Sequence, residues 1–148
     1  MSDLTEDEVR QQMEREFAAW NSGAVETIAA NRYGFAAGYG LRTQIPRGDD
    51  ARYSDAALLA RVRQFHESME YYDVAAESIE VAVHGDTGVS WGVYTEDFQV
   101  RGRPPEKLRV RFTQTFQKRR DGNLITLLAH RDIQPFDDDG IYIPSRPV

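Results

Sequence analysis

A chain of 148 residues with 41% hydrophobic side chains is one ordinary globular domain, long enough to bury a core unaided and too apolar to be disordered. The absence of cysteine excludes disulfides, a thiolate nucleophile and thiolate-bound metal, and no apolar run approaches the roughly 20 residues that span a bilayer. Net charge is −6 and the basic residues are scattered apart from Lys118, Arg119 and Arg120, so the concentrated cationic face that nucleic-acid binding needs is missing; those three read as solubilising charges at a hairpin tip.

The start, MSDLTEDEVRQQ, is acidic and polar and is not a secretory signal, so the expected location is cytoplasmic. Thr5 and Glu8 make a capping-box pattern, and Asp7 and Glu8 place negative charge in the first turn of a helix. Val9, Met13, Phe17 and Trp20 then recur at helical spacing until Asn21, Ser22 and Gly23 stop the run. A short second helix is expected over 24–30. In residues 31–53 glycines punctuate Tyr33, Phe35 and Tyr39; a short strand is expected near 33–38, then a loop that covers something. Ser54 caps a third helix over 55–68, with Leu58, Val62, Phe65, His66 and Met69 on one face.

After Glu70 the period changes from helix to strand. In ESIEVAVHG, Ile79, Val81 and Val83 alternate with Glu80, and the run ends at the turn Gly85–Gly88. VSWGVYTEDFQV is a second strand reaching Val100, and a loop with two prolines follows over 101–106. LRVRFTQTFQKR is a third strand, Asp121-Gly122 marks a tight turn, and NLITLLAHRDIQPF is a fourth, before an acidic tail beyond Phe136. Helices first and antiparallel strands last predict an α+β fold, with three N-terminal helices on one face of a bent antiparallel sheet and a pocket enclosed between them. The chain reads as a single domain with its core over 5–135 and a tail over 137–148.

The segments GVYTEDF (92–98), RFTQTFQKRRDG (111–122) and LLAHRD (127–132), in this order of elements, resemble the nuclear transport factor 2-like superfamily and, within it, the SnoaL-like groups. The last two segments are also similar to the end of the association domain of calcium/calmodulin-dependent kinases, where the strand ends in His-Arg-Ser; here Asp132 stands in place of the serine. The resemblance implies a cone-shaped fold with a pocket at its wide end, often dimerised through the sheet. It implies no single reaction, because relatives include polyketide cyclases, a steroid isomerase, dehydratases, epoxide hydrolases and non-enzymatic binding or assembly domains.

Candidate chemistry depends on the hairpin. If Asp121-Gly122 is a two-residue turn, Arg120 faces Asn123, Thr113 faces His130 and Arg111 faces Asp132, so these last four share a face while Phe112, Gln114, Phe116, Ala129 and Arg131 share the other. A glycine bulge would slip the pairing by one and put Arg131 in the place of His130. His130 and Asp132 are the candidate proton-transfer pair, since a carboxylate beside an imidazole fixes its tautomer and raises its basicity. The alternative is a polar seam in which Asp132 pairs with Arg111 and His130 bonds Thr113.

Arg111 and Thr113 are candidate ligand contacts, Arg111 because its forked donors suit a carboxylate or enolate oxygen. Tyr94 and Glu96 share a strand face, and a buried Glu96 or Asp97 would be a base of raised pKa. Trp91, on the other face, reads as a core or dimer contact. Tyr33, Tyr39 and Arg42 read as lid or loop residues, and Trp20 and His66 as contacts from the helices. The histidines 66, 84 and 130 show no metal-ligand spacing, and no metal or cofactor is expected. Two functions follow: a cofactor-independent acid–base enzyme (isomerase, cyclase, dehydratase or hydrolase) acting on a small apolar ligand, or a non-catalytic ligand-binding or assembly domain. A homodimer through the sheet is expected because both strand faces carry large side chains.

Overall fold

Helix α1 (Glu6–Ser22) starts where the capping box places it: Thr5 N donates to Glu8 Oε2 at 2.8 Å and Glu8 N to Thr5 Oγ1 at 3.2 Å. It ends at Gly23, whose φ of 70° is the left-handed conformation of a helix C-terminus and whose N–H donates to Ala19. Helices α2 (Val25–Asn31) and α3 (Asp55–Glu67) follow. The computed structural model describes residues 2–31 and 55–135; the expected strand near 33–38, Ser54, Tyr33, Tyr39 and Arg42, and the acidic tail lie outside them.

The strands β1 (Met69–His84), β2 (Thr87–Val100), β3 (Glu106–Lys118) and β4 (Leu124–Pro135) form one antiparallel meander in the order β1-β2-β3-β4. The sheet is curved and unclosed, with the helices packed on one face. Strand alternation sends Phe98, Val110, Phe112 and Phe116 toward the helices, where Phe112 and Phe116 pack with Val9, Met13 and Leu4. Ala19, Val25, Ile28 and Val62 make a second cluster where the three helices meet. Burying each of the larger side chains contributes roughly 1.5–3 kcal/mol.

Two irregularities set the faces. The β1–β2 register shifts between Ala76 and Ser78, and there β1 lies so close to Gly92 that a Cβ would meet the Ser78 carbonyl oxygen at 2.0 Å. Gly92, with φ of 157°, tolerates that approach because it has no side chain. The β3–β4 hairpin differs from the two-residue turn expected at Asp121-Gly122. Lys118 pairs with Leu124, Arg119 N donates to Asn123 O at 2.8 Å, and the register then shifts between Thr115 and Phe116. That bulge at Leu127 cancels the longer turn, so Thr113 still faces His130 and Arg111 still faces Asp132.

Lys118 is not the solubilising charge that its run suggests. It is 8% exposed, and its ammonium donates to Glu8 Oε1 at 2.7 Å and Ser2 Oγ at 3.2 Å, tying the N-terminal segment to the sheet. The face-pointing position at the end of β3, rather than composition, puts it inside.

Candidate functional site

Between α1, α3 and the inner face of the sheet lies a cavity of about 260 Å³. Its walls are aromatic: Phe17 and Trp20 from α1, Phe65 from α3, and Tyr72, Tyr94 and Phe112 from the sheet. The rings lock one another edge to face, Phe17 with Tyr94 at 5.5 Å between centroids and Phe65 with Tyr72 at 5.2 Å. A wider groove of 590 Å³ between α1 and the β3–β4 turn has no aromatic side chain among its lining residues.

The polar centre of the cavity is Glu96 on β2 with Arg131 on β4. Arg131 Nη2 donates to Glu96 Oε1 at 2.5 Å, with the carboxylate side chain 6% exposed and the guanidinium side chain 38%. Arg131 also lies over the Tyr94 ring, 6.0 Å from its centroid. Burial pushes the Glu96 carboxyl above the ordinary carboxylate range; the Arg131 charge, the Tyr72 hydroxyl, a hydrogen bond from Arg131 and the Tyr94 hydroxyl oppose that rise without cancelling it. Burial works against the Arg131 charge, but Tyr94, Glu96 and Tyr72 outweigh it and hold the guanidinium protonated. Burial beside Glu96 pushes the Tyr72 hydroxyl up, so it stays a hydrogen-bond donor.

The outer face of the sheet holds a different group. Arg111 Nη2 donates to Asp132 Oδ2 at 3.0 Å, and His130 Nε2 stands 3.8 Å from Asp132 Oδ1, with all three side chains 45–67% exposed. Thr113 is exposed beside them. Thr113 and His130 border the cavity along the strands, but alternation turns their side chains to the face away from the helices. The three charged or ionisable side chains are solvent-exposed on the sheet face away from the helices.

Among the other candidates, Tyr94, Glu96 and Trp20 line the cavity. His66 does not; its ring nitrogens lie 3.1 Å from Val62 O and 2.9 Å from Trp20 O, and the ring stacks on Trp20 at 5.4 Å. It buttresses a wall. Asp97 is half-buried, on the opposite strand face from Glu96, and accepts from Tyr71. Among the described residues no three His, Asp or Glu side chains group as metal ligands would, and no helix is long and apolar enough to cross a membrane.

Sequence reasoning placed Arg131 on the strand face that carries Phe112 and Gln114 without assigning that face to the pocket, and it gave no role to Glu16 or Gln114, which also line the cavity. A signal existed for each. Arg131 and Gln114 share the inner face under the register that holds, and Glu16 lies three residues after Met13, on the flank of the α1 stripe.

Three helices laid on one face of a curved antiparallel meander, with a cavity between the layers, make the α+β fold of the nuclear transport factor 2-like superfamily. Solved structures superpose on the chain. A nuclear transport factor 2-like protein of Salmonella enterica matches with a TM-score of 0.66 and 12% identity, over 85% of this chain and 88% of that one. A provisionally assigned calcium/calmodulin-dependent protein kinase II association domain of Xanthomonas campestris matches at 0.64 and 20%, over 87% of each chain. A provisionally assigned scytalone dehydratase of Novosphingobium aromaticivorans matches at 0.66 and 13%, over 87% and 82%. Likeness at these identities establishes the fold alone. No protein-family model matches the sequence, and no curated protein does.

Proposed function

We propose that the chain is a SnoaL-like, small-molecule-binding protein whose cavity performs acid–base chemistry on a small, largely apolar ligand without a cofactor. Glu96 exchanges a proton with the ligand, and Arg131 with Tyr94 holds the oxygen on which negative charge develops. The observation that supports this is Glu96 itself: a carboxyl 4% exposed, walled by aromatic rings, pushed above its ordinary range by burial and paired with a guanidinium. A base of raised pKa beside a fixed cation suits abstraction of a proton next to a carbonyl. The C–H electron pair forms a carbon–carbon double bond as the carbonyl π pair moves to oxygen, which Arg131 stabilises; the proton held by Glu96 then returns at another carbon, or passes to a β-hydroxyl, which leaves as water as the carbonyl re-forms. Isomerisation and dehydration are therefore the reactions favoured, and the dehydratase name of one similar structure is in line with the second.

The test is exchange of the α-protons of 4-ethylacetophenone in D2O, followed by NMR. Exchange faster than in buffer, lost in Glu96→Gln, is expected. Exchange that persists in Glu96→Gln removes Glu96 from the mechanism. Binding without any exchange favours a second reading, a non-catalytic ligand-binding or assembly domain, for which the closure of Glu96 on Arg131 speaks.

We further propose a homodimer through the outer face of the sheet, where Trp91 is 41% and Leu128 40% exposed. Sedimentation velocity at micromolar concentration checks this, and a monomer there would count against it.

A further inference from the structure

An arginine in an aromatic pocket ordinarily takes a ligand carboxylate, because its forked donors match two oxygens. Here the protein supplies a carboxylate of its own. Glu96 Oε1 accepts from Arg131 Nη2, and the Tyr72 and Tyr94 hydroxyls are hydrogen-bonded to the same carboxyl. Val74 and Leu108, the residues beside Glu96 on β1 and β3, are apolar. Among the described residues that line the cavity, Arg131 carries the one permanent positive charge. Glu96 does not saturate it. A guanidinium has five N–H donors, one of its nitrogens is spent on Glu96, and 38% of the Arg131 side chain is exposed. A ligand oxygen thus has room on Arg131 beside Glu96, and the charge of that oxygen becomes the deciding quantity.

We propose, on the reading that the cavity binds a small molecule, that Glu96 also sets the charge of that molecule: by holding Arg131 it admits neutral single-ring carbonyl compounds and turns away carboxylates of the same shape. A ligand carboxylate on Arg131 would share one guanidinium with Glu96. Repulsion between the two carboxylates offsets most of the attraction to the shared cation, and the rings of Phe17, Tyr94 and Phe112 return none of the hydration that the anion gives up. A neutral carbonyl gives up less hydration, accepts from Arg131 and leaves the pair with Glu96 intact. At interior packing density a cavity of 260 Å³ holds about ten to thirteen non-hydrogen atoms, which is one ring with small substituents. Removing the charge of Glu96 while keeping its shape frees the guanidinium, so the discrimination against anions must fall.

Three ring compounds of equal size test this: 4-ethylacetophenone and 4-ethylbenzamide are neutral, and 4-ethylbenzoate is ionised at pH 7. Calorimetric titration of the wild-type protein at pH 7 is expected to show both neutral compounds binding about tenfold or more tightly than 4-ethylbenzoate. Glu96→Gln is expected to raise the affinity for 4-ethylbenzoate about tenfold, while that for 4-ethylacetophenone stays within about threefold. Wild-type protein that binds 4-ethylbenzoate as tightly as the neutral pair overturns the charge rule and leaves the cavity reading standing, and this comparison does not require the variant to fold. A preference that is unchanged in Glu96→Gln overturns the assignment to Glu96. Failure of all three to bind overturns the cavity reading and this one with it. Tight binding of 4-ethylacetophenone without exchange of its protons, with 4-ethylbenzoate rejected, supports the charge rule and counts against the acid–base chemistry alone.

Discussion

Replacing Arg131 by methionine keeps an unbranched apolar stem and deletes the guanidinium that stands 2.5 Å from Glu96 Oε1. Breaking a fully buried ion pair from one side costs about 3–5 kcal/mol, because a charge is left inside without compensation. Here Glu96 is the buried partner, with its side chain 6% exposed, while that of Arg131 is 38% exposed and partly hydrated. The expected cost at pH 7 is accordingly about 2–3 kcal/mol, discounted for that exposure. Glu96 can relieve the cost by taking a proton. Burial already raises its carboxyl above the ordinary value near 4.5, and the Arg131 charge is the strongest influence opposing the rise. In the variant the folded-state pKa therefore lies still higher above the unfolded one. A group raised in this way stabilises the fold fully below its unfolded pKa and loses that contribution as pH climbs through the folded pKa, at no more than about 1.4 kcal/mol per pH unit. Urea unfolding monitored by circular dichroism should thus show most of the deficit at pH 7 recovered at pH 5. The double variant Glu96→Gln, Arg131→Met leaves no charge behind and should fall within about 1 kcal/mol of wild type at pH 7. A deficit equal at the two pH values, or a double variant as unstable as the single one, would refute the reasoning.

Gly92→Ala places a Cβ 2.0 Å from the Ser78 carbonyl oxygen and 2.8 Å from its carbon, both backbone atoms; a loss of about 3 kcal/mol, seen as a fall in Tm of roughly 10 °C by calorimetry, is expected, and a fall under about 3 °C would show that β1 yields. Lys118→Met should destabilise by about 2 kcal/mol in chemical denaturation while Arg119→Ala and Arg120→Ala change it by less than about 0.5 kcal/mol, because of the three only Lys118 is buried. Its bond to Lys118 and the cap at Thr5 hold Glu8 below the ordinary carboxylate range, so the stability it lends is present above that range and lost as pH falls through its folded value. Lys118→Met should therefore also flatten the acid limb of the stability curve below about pH 4.5. His130→Ala and Asp132→Asn should leave the affinity for 4-ethylacetophenone within about twofold by calorimetry, since exposed pairs on the outer face contribute little; a tenfold loss would bring the outer face into the site.

Local chemistry written in the chain determined the elements. The Thr5–Glu8 box, the stop at Gly23 and the change of period after Glu70 specify three helices followed by four strands, and over the described segments the observed bounds agree within a few residues except at β1, which begins at Met69, a residue read as part of the third helix face, eight residues ahead of the alternation that starts at Glu77. The two-fold period also sorted Tyr94, Glu96 and Phe98 from Trp91, Val93 and Thr95, because successive strand side chains must point to opposite faces. What period cannot state is which face the helices cover. That choice put Glu96 and Arg131 inside and left His130, Asp132 and Arg111 exposed to solvent. Nor can a turn dipeptide fix a register by itself. The grouping expected from a two-residue turn is present, but through a longer turn and a compensating bulge at Leu127. Lys118, Glu16 and Gln114 are polar by composition and buried by position, each matched to a partner more than 90 residues away in the chain. The sequence by itself determined the elements and the alternation of their faces, which depend on neighbours. Only the tertiary structure decided which polar groups meet in the cavity, because burial and pairing of charges depend on residues that become neighbours when the sheet closes over the helices.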